Sequence, residues 1–120
     1  MIRRVLIVDD SFYACSSLKH LLESHGYEVV GAAFSPSEAV NLYAQTKPDL
    51  VTMDIVMPEG GGLEAIKALR VQDPNARIIV VSALEQDAVM KAARELGVGV
   101  FVKKPIHWPE LERALQGLPA

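Results

Sequence analysis

The sequence predicts an α/β domain in which strand and helix alternate five times, a (βα)5 doubly wound parallel five-stranded sheet. Three observations predict it. Short β-branched apolar runs recur along the chain, too apolar for a sheet with one solvated face. Amphipathic stretches with capping residues at their ends follow these runs. Each connection between runs is long enough to hold a crossover helix, which parallel neighbours require.

Val5-Leu6-Ile7-Val8 is the first strand, wholly apolar. Asp10 or Ser11 can cap a helix running to about His25, with Ala14, Cys15, Leu18, Leu21 and Leu22 on its stripe and Gly26 at its end. Glu28 to Ala32 reads as a second, weaker strand. Ser35 caps the next helix, with Pro36 at the favoured first position and Glu38 three residues after the cap. Lys47-Pro48 ends it. Leu50 to Met53 is the third strand, with Asp54 at its carboxyl end. Pro58 to Gly62 is a loop, and Leu63 to Val71 a helix closed by Asp73-Pro74-Asn75. Arg77 to Val81 is the fourth strand, ending at Ser82. Glu85 to Leu96 is a helix ended by Gly97, and Val98 to Val102 the fifth strand. The last helix runs from about Pro109 to Gln116.

The 120 residues suit one domain spanning the whole chain, 1–120, and half of them are hydrophobic. A core needs no disulfide, and the single cysteine, Cys15, cannot form one internally; that fits a reducing compartment. The net charge of −3 gives no basic footprint for nucleic acid. No segment approaches the roughly 20 apolar residues of a membrane span, and the N-terminus lacks the pattern of a signal peptide. The expectation is a cytoplasmic protein with no direct nucleic-acid or membrane partner.

In open α/β sheets, ligands bind outside the carboxyl ends of the strands. Asp9, Asp10, Asp54, Ser82 and Lys104 each stand just after an apolar run. Singly, each has a structural reading: a cap for Asp10, a solvated strand end for Asp9, turn residues for Asp54 and Ser82, a solvated lysine for Lys104. Together they describe a site. Three carboxylates in one small space repel each other, and a hard cation such as Mg²⁺ relieves that with oxygen ligands. A lysine and a hydroxyl beside them suit a phosphoryl group, and a carboxylate can be the nucleophile that accepts it.

On these residues the chain resembles the CheY-like receiver domain of two-component response regulators, over essentially its whole length. The matching pieces are Val5-Leu6-Ile7-Val8-Asp9-Asp10, Met53-Asp54-Ile55-Val56-Met57-Pro58, Gly62-Leu63-Glu64-Ala65, Val80-Val81-Ser82-Ala83 and Lys104-Pro105. The resemblance implies a flavodoxin-like strand order 2-1-3-4-5. It implies Asp54 as phosphoacceptor, with Ser82 and Lys104 holding the phosphoryl group. Mg²⁺ would be held by Asp10, by Asp54, by the Val56 backbone carbonyl and, largely through water, by Asp9. Phe101 would be the switch aromatic, with small Ala83 leaving it room, and Pro105 would follow a cis peptide. The implied partners are a histidine kinase or phosphotransfer protein, and a downstream target on the face formed by helix four, strand five and helix five. A chemotaxis-type regulator with its output in trans fits the length.

Some residues depart from the family pattern. Glu59-Gly60-Gly61-Gly62 replaces the usual apolar and acidic residues, either as a merely flexible loop or as a source of N–H groups for an anion. Val56 and Leu84 are apolar, so neither can position an attacking water, and slow self-dephosphorylation is expected. His107-Trp108-Pro109 is unusual at the start of the last helix; Trp108 either packs or anchors a partner. Three other functions remain open. A phosphorylation-independent binding module keeps every phosphorylation group without using it. A flavin carrier would place a phosphate against Asp9-Asp10, which repel it. A small hydrolase would need a substrate pocket or lid that the chain hardly offers.

Overall fold

A computed structural model describes residues 2–57, 61–83 and 87–118. Within them the strands are β1 (Arg4–Val8), β2 (Glu28–Ala33), β3 (Leu50–Asp54), β4 (Ile78–Ser82) and β5 (Val100–Lys103). The helices are α1 (Phe12–Ser24), α2 (Pro36–Thr46), α3 (Gly61–Gln72), α4 (Asp87–Glu95) and α5 (Trp108–Gln116). The strands pair in parallel in the order β2-β1-β3-β4-β5, as expected. That order reverses direction beside β1, so the carboxyl ends of β1 and β3 flank the crevice where such sheets bind ligands.

Side chains alternate across the sheet and divide the core in two. Val5, Ile7, Leu50, Ile79, Val81 and Val102 face α1 and α5, where Leu18, Leu22, Leu111 and Leu115 cover them. Leu6, Val8, Val51, Met53, Ile78 and Val80 face α2, α3 and α4. The three central strands are buried on both sides, which is why their sequences show no polar alternation.

The caps follow the expected chemistry with two adjustments. Ser11, not Asp10, caps α1, its side chain accepting from the Ala14 N–H at 3.2 Å. Ser35 accepts from the Glu38 N–H, and Glu38 reaches back to the Phe34 N–H at 3.1 Å, one residue before the cap itself. Lys47 ends α2 in the left-handed region, and the Arg4 guanidinium donates to the carbonyls of Thr46 and Lys47. Elsewhere boundaries move. β4 starts at Ile78 and takes in Ser82, and β5 starts at Val100, because pairing with β4 begins only there. α3 starts at Gly61 rather than Leu63. The start expected for α4, at Glu85, lies outside the described residues.

Trp108 packs. Its ring stacks on His25 at 3.7 Å between centroids, and Tyr27 leans on it at 6.1 Å. The stack joins the end of α1 to the start of α5. No helix among the described residues is long and apolar enough to cross a membrane.

Candidate functional site

β1 and β3 are adjacent and in register, Val8 opposite Met53, so the residues just beyond them come together at one edge. Asp9 and Asp54 are buried, at 5% and 7% exposure, while Asp10 is exposed. One carboxylate oxygen from each of the three lies within 4.8 Å of the others. Lys104 enters from the end of β5. Its Nζ donates to Asp9 Oδ2 at 2.6 Å and to Asp54 Oδ2 at 3.4 Å. Lys104 therefore pairs with Asp9 more closely than with Asp54, and it is not the solvated lysine it could have been when read alone.

The two buried carboxylates are oriented by backbone. The Ser11 N–H donates to Asp9 Oδ1 at 2.9 Å, and the Val56 N–H to Asp54 Oδ1 at 3.0 Å. Burial pushes the Asp54 carboxyl above the usual carboxylate range, against the opposing pull of the Val56 N–H and Lys104. Burial would lower the Lys104 ammonium. Its hydrogen bond to Asp9 and the charges of Asp54 and Asp9 outweigh that, and the net shift is upward. Three acids facing one base leave a negative surplus built of hard oxygens, a donor set that suits a small divalent cation.

Ser82 is buried at the end of β4, and its carbonyl accepts the Lys104 N–H at 2.9 Å, tying β4 to the lysine's backbone. The Lys104-Pro105 peptide is cis, as the resemblance implied. Ala83 is exposed beside Ser82. Phe101 is half-buried against the α2–α4 side of the core, opposite Val80, with the Arg94 guanidinium 5.2 Å above its ring. Val56 stands half-exposed, so its apolar side chain flanks the site from solvent. Leu84, Glu59 and Gly60 lie outside the described residues.

The other two glycines of the loop have definite work. Gly61 has φ +60, which favours glycine, and is the first residue of α3. A Cβ on Gly62 would stand 2.3 Å from the Asp54 carbonyl oxygen and 2.5 Å from the Ile55 Cα. Gly62 donates its N–H to the Ile55 carbonyl at 3.2 Å. These two residues are a close backbone contact behind the acid, not slack.

Two neighbours of the site escaped the sequence reading. Cys15 Sγ donates to the Asp9 carbonyl at 3.4 Å from beneath α1. Burial, then the Asp9 charge, pushes that thiol up to about 11. Thr52 sits two residues before Asp54 on the same side of β3, and only its place in a parallel sheet reveals it.

An order 2-1-3-4-5 sheet whose β1 and β3 ends gather three acids under a lysine is the arrangement that the resemblance to receiver domains implied. The family model of the response regulator receiver domain matches residues 5–116, and the chain belongs to that family. It is 46% identical to the chemotaxis protein CheY of Thermotoga maritima, over 94% of each chain, and 39% identical to that of Bacillus subtilis, over 98% and 96%. Among solved structures, a chain of the CheX-CheY-BeF3-Mg+2 complex from Borrelia burgdorferi superposes with a TM-score of 0.89 at 31% identity, covering 95% of this chain and 87% of that one.

Proposed function

We propose that this chain is a cytoplasmic single-domain response regulator, residues 1–120 forming one receiver domain, that accepts a phosphoryl group on Asp54 in chemotaxis-type signalling. The carrying observation is the Asp54 carboxylate itself: buried, held by the Val56 N–H and faced by Lys104 at the crevice of the sheet. A carboxylate oxygen attacks the phosphorus of a phosphohistidine on a histidine kinase or phosphotransfer protein. The new bond is P–O, the broken bond is P–N, and the imidazole leaves with the electron pair and takes up a proton. Holding the nucleophile by backbone supplies the positioning that phosphoryl transfer mostly needs.

Asp9, Asp10, Asp54 and the Val56 carbonyl would hold Mg²⁺, which neutralises charge on the transferring oxygens when bound. Lys104 pairs with a phosphoryl oxygen, and Ser82 donates its hydroxyl to another. Lys104 is now shared with Asp9, so the new phosphoryl oxygens compete for its donors. Ser82 continues the side of β4 that bears Val80, next to Phe101, so a shift of Ser82 toward the phosphoryl group frees space on the opposite side of the sheet from Asp54. Phe101 follows, and the α4–β5–α5 face changes for a downstream target protein. Lacking a hydroxyl, Phe101 acts by packing alone.

The test is intact-protein mass after incubation with a small phosphodonor. One phosphoryl group gained with Mg²⁺, absent with chelator and absent in Asp54→Ala, is expected. No gain would favour the phosphorylation-independent binding module. With apolar Val56 at the rim, the phosphorylated protein should persist well beyond seconds; loss within seconds would contradict the role given to that side chain.

A further inference from the structure

Arg94, near the end of α4, lays its guanidinium over the Phe101 ring, 5.2 Å from the centroid. Arg94 is exposed, so nothing obliges its side chain to lie there rather than in solvent. Among the described residues it has no other polar or aromatic partner. A phenylalanine ring carries no hydrogen-bonding group. A cation over its face is the polar contact open to it, and the planar, weakly hydrated guanidinium suits that better than an ammonium.

The position of Arg94 along the fold gives this contact its meaning. β4 and β5 are parallel, with Val80 opposite Phe101 and Ser82 opposite Lys103. Ser82 therefore lies about 7 Å nearer the carboxyl edge of the sheet than the level of Phe101. α4 connects these two strands, so it runs back from the carboxyl edge towards the amino edge. Val89, Ala93 and Leu96 seat this segment on the core. Arg94 is the last residue but one of the helix, about 10 Å along it from Asp87. Ser82 and Arg94 thus stand at opposite ends of the path open to the ring.

We infer that Arg94 is a positioning residue that acts as a brake on the switch: its guanidinium holds Phe101 back, and the ring gives up that contact to follow Ser82. The inference rests on the reading of Phe101 as the switch aromatic. One such contact at an exposed site shifts a two-state equilibrium about threefold. By linkage, the same factor weakens the binding of any group at Asp54 that draws Ser82, and Phe101 after it. An arginine that merely covered the ring would behave otherwise. Its loss would loosen α4 and could tighten nothing.

The test is fluorine NMR of the full chain labelled with 4-fluorophenylalanine. Phe101 is one of three phenylalanines, and its line is the one missing from Phe101→Leu. Beryllofluoride with Mg²⁺ stands in for the phosphoryl group, and its own bound fluorines report occupancy of the acid site in the same spectrum. In wild type the Phe101 line should move on saturation. Arg94→Met keeps the length and nearly the helix propensity of the arginine. Without beryllofluoride its Phe101 line should already stand part-way to the saturated position. The saturated lines of the two proteins should coincide, since Arg94 has then left the ring. Beryllofluoride should bind Arg94→Met about threefold more tightly than wild type. Arg94→Lys, which keeps the cation, should restore most of both properties. Unchanged or weaker binding by Arg94→Met would overturn the brake alone. So would an equal displacement of its free and saturated lines, or Arg94→Lys behaving as Arg94→Met does. A wild-type Phe101 line that stays put while beryllofluoride is bound would overturn the switch reading, and the brake with it. Absence of bound beryllofluoride in wild type would overturn both together with the acceptor role of Asp54.

Discussion

At the scale of the residue, Asp54 combines two demands. The role of nucleophile proposed for it needs an ionised carboxylate, yet burial raises its affinity for a proton. A carboxyl whose folded-state value is raised stabilises the fold below its ordinary value of 3.8 and loses that contribution as pH rises through the folded value. At neutral pH the metal-free protein therefore carries a cost at Asp54, which a neutral isostere removes. Asp54→Asn should raise Tm at pH 7 in chelator. The gain should shrink as pH falls through the raised value and vanish below 3.8. Equal Tm values at pH 7, or a gain that grows in acid, would contradict it. Added Mg²⁺ should reverse the order, since the ion stabilises only the protein that retains the carboxylate.

At the scale of the element, α3 shows how a tertiary contact overrides local punctuation. Three consecutive glycines read as a loop, and the helix was expected to wait for Leu63. Instead the helix starts at Gly61, because the segment must pass against the Asp54–Ile55 backbone with no Cβ between. Gly62→Ala should cost about 3 kcal/mol in urea unfolding, since its closest neighbours are backbone that cannot turn aside. It should also slow the phosphorylation proposed for Asp54, because the contact lies against the backbone of that residue. A loss under about 0.5 kcal/mol, as at an ordinary surface site, would show that the loop yields. The same physics separates what was legible in the sequence from what was not. Strands were legible from apolar runs, and the acids at their ends from the rule that parallel sheets bind ligands there. The closer partner of Lys104 was not, because Asp9 lies 95 residues away and the choice depends on side-chain reach. Thr52 was hidden inside an apolar strand, where a threonine looks like any β-branched residue.

At the scale of the whole molecule, the sheet divides two cores, and Arg70 fastens one corner of the larger. Its guanidinium donates to the carbonyls of Pro74, Ala76, Leu96 and Gly97, joining the end of α3 to the turns before β4 and β5. The planar fork meets all four at once, which a lysine's point charge cannot reproduce. Arg70→Met should lower stability by about 2 kcal/mol, with Arg70→Lys recovering only part. Amide exchange of residues 96–98 should accelerate in Arg70→Met more than that of β1. Uniform acceleration across the sheet would mean that Arg70 stabilises the fold globally rather than holding this corner.

The thiol tucked under α1 makes the molecule its own reporter. Cys15 is the single cysteine, it is buried, and its proton is held up to about 11. Alkylating reagents attack thiolates that they can reach, so the native state offers them almost nothing. Modification must wait for α1 to lift from the sheet. The rate of single-site alkylation thus becomes a gauge of how often the helix beside the acid cluster lets go, read by mass without any added label. Anything that fills the space beneath that helix, or clamps the acids beside it, should lengthen the wait.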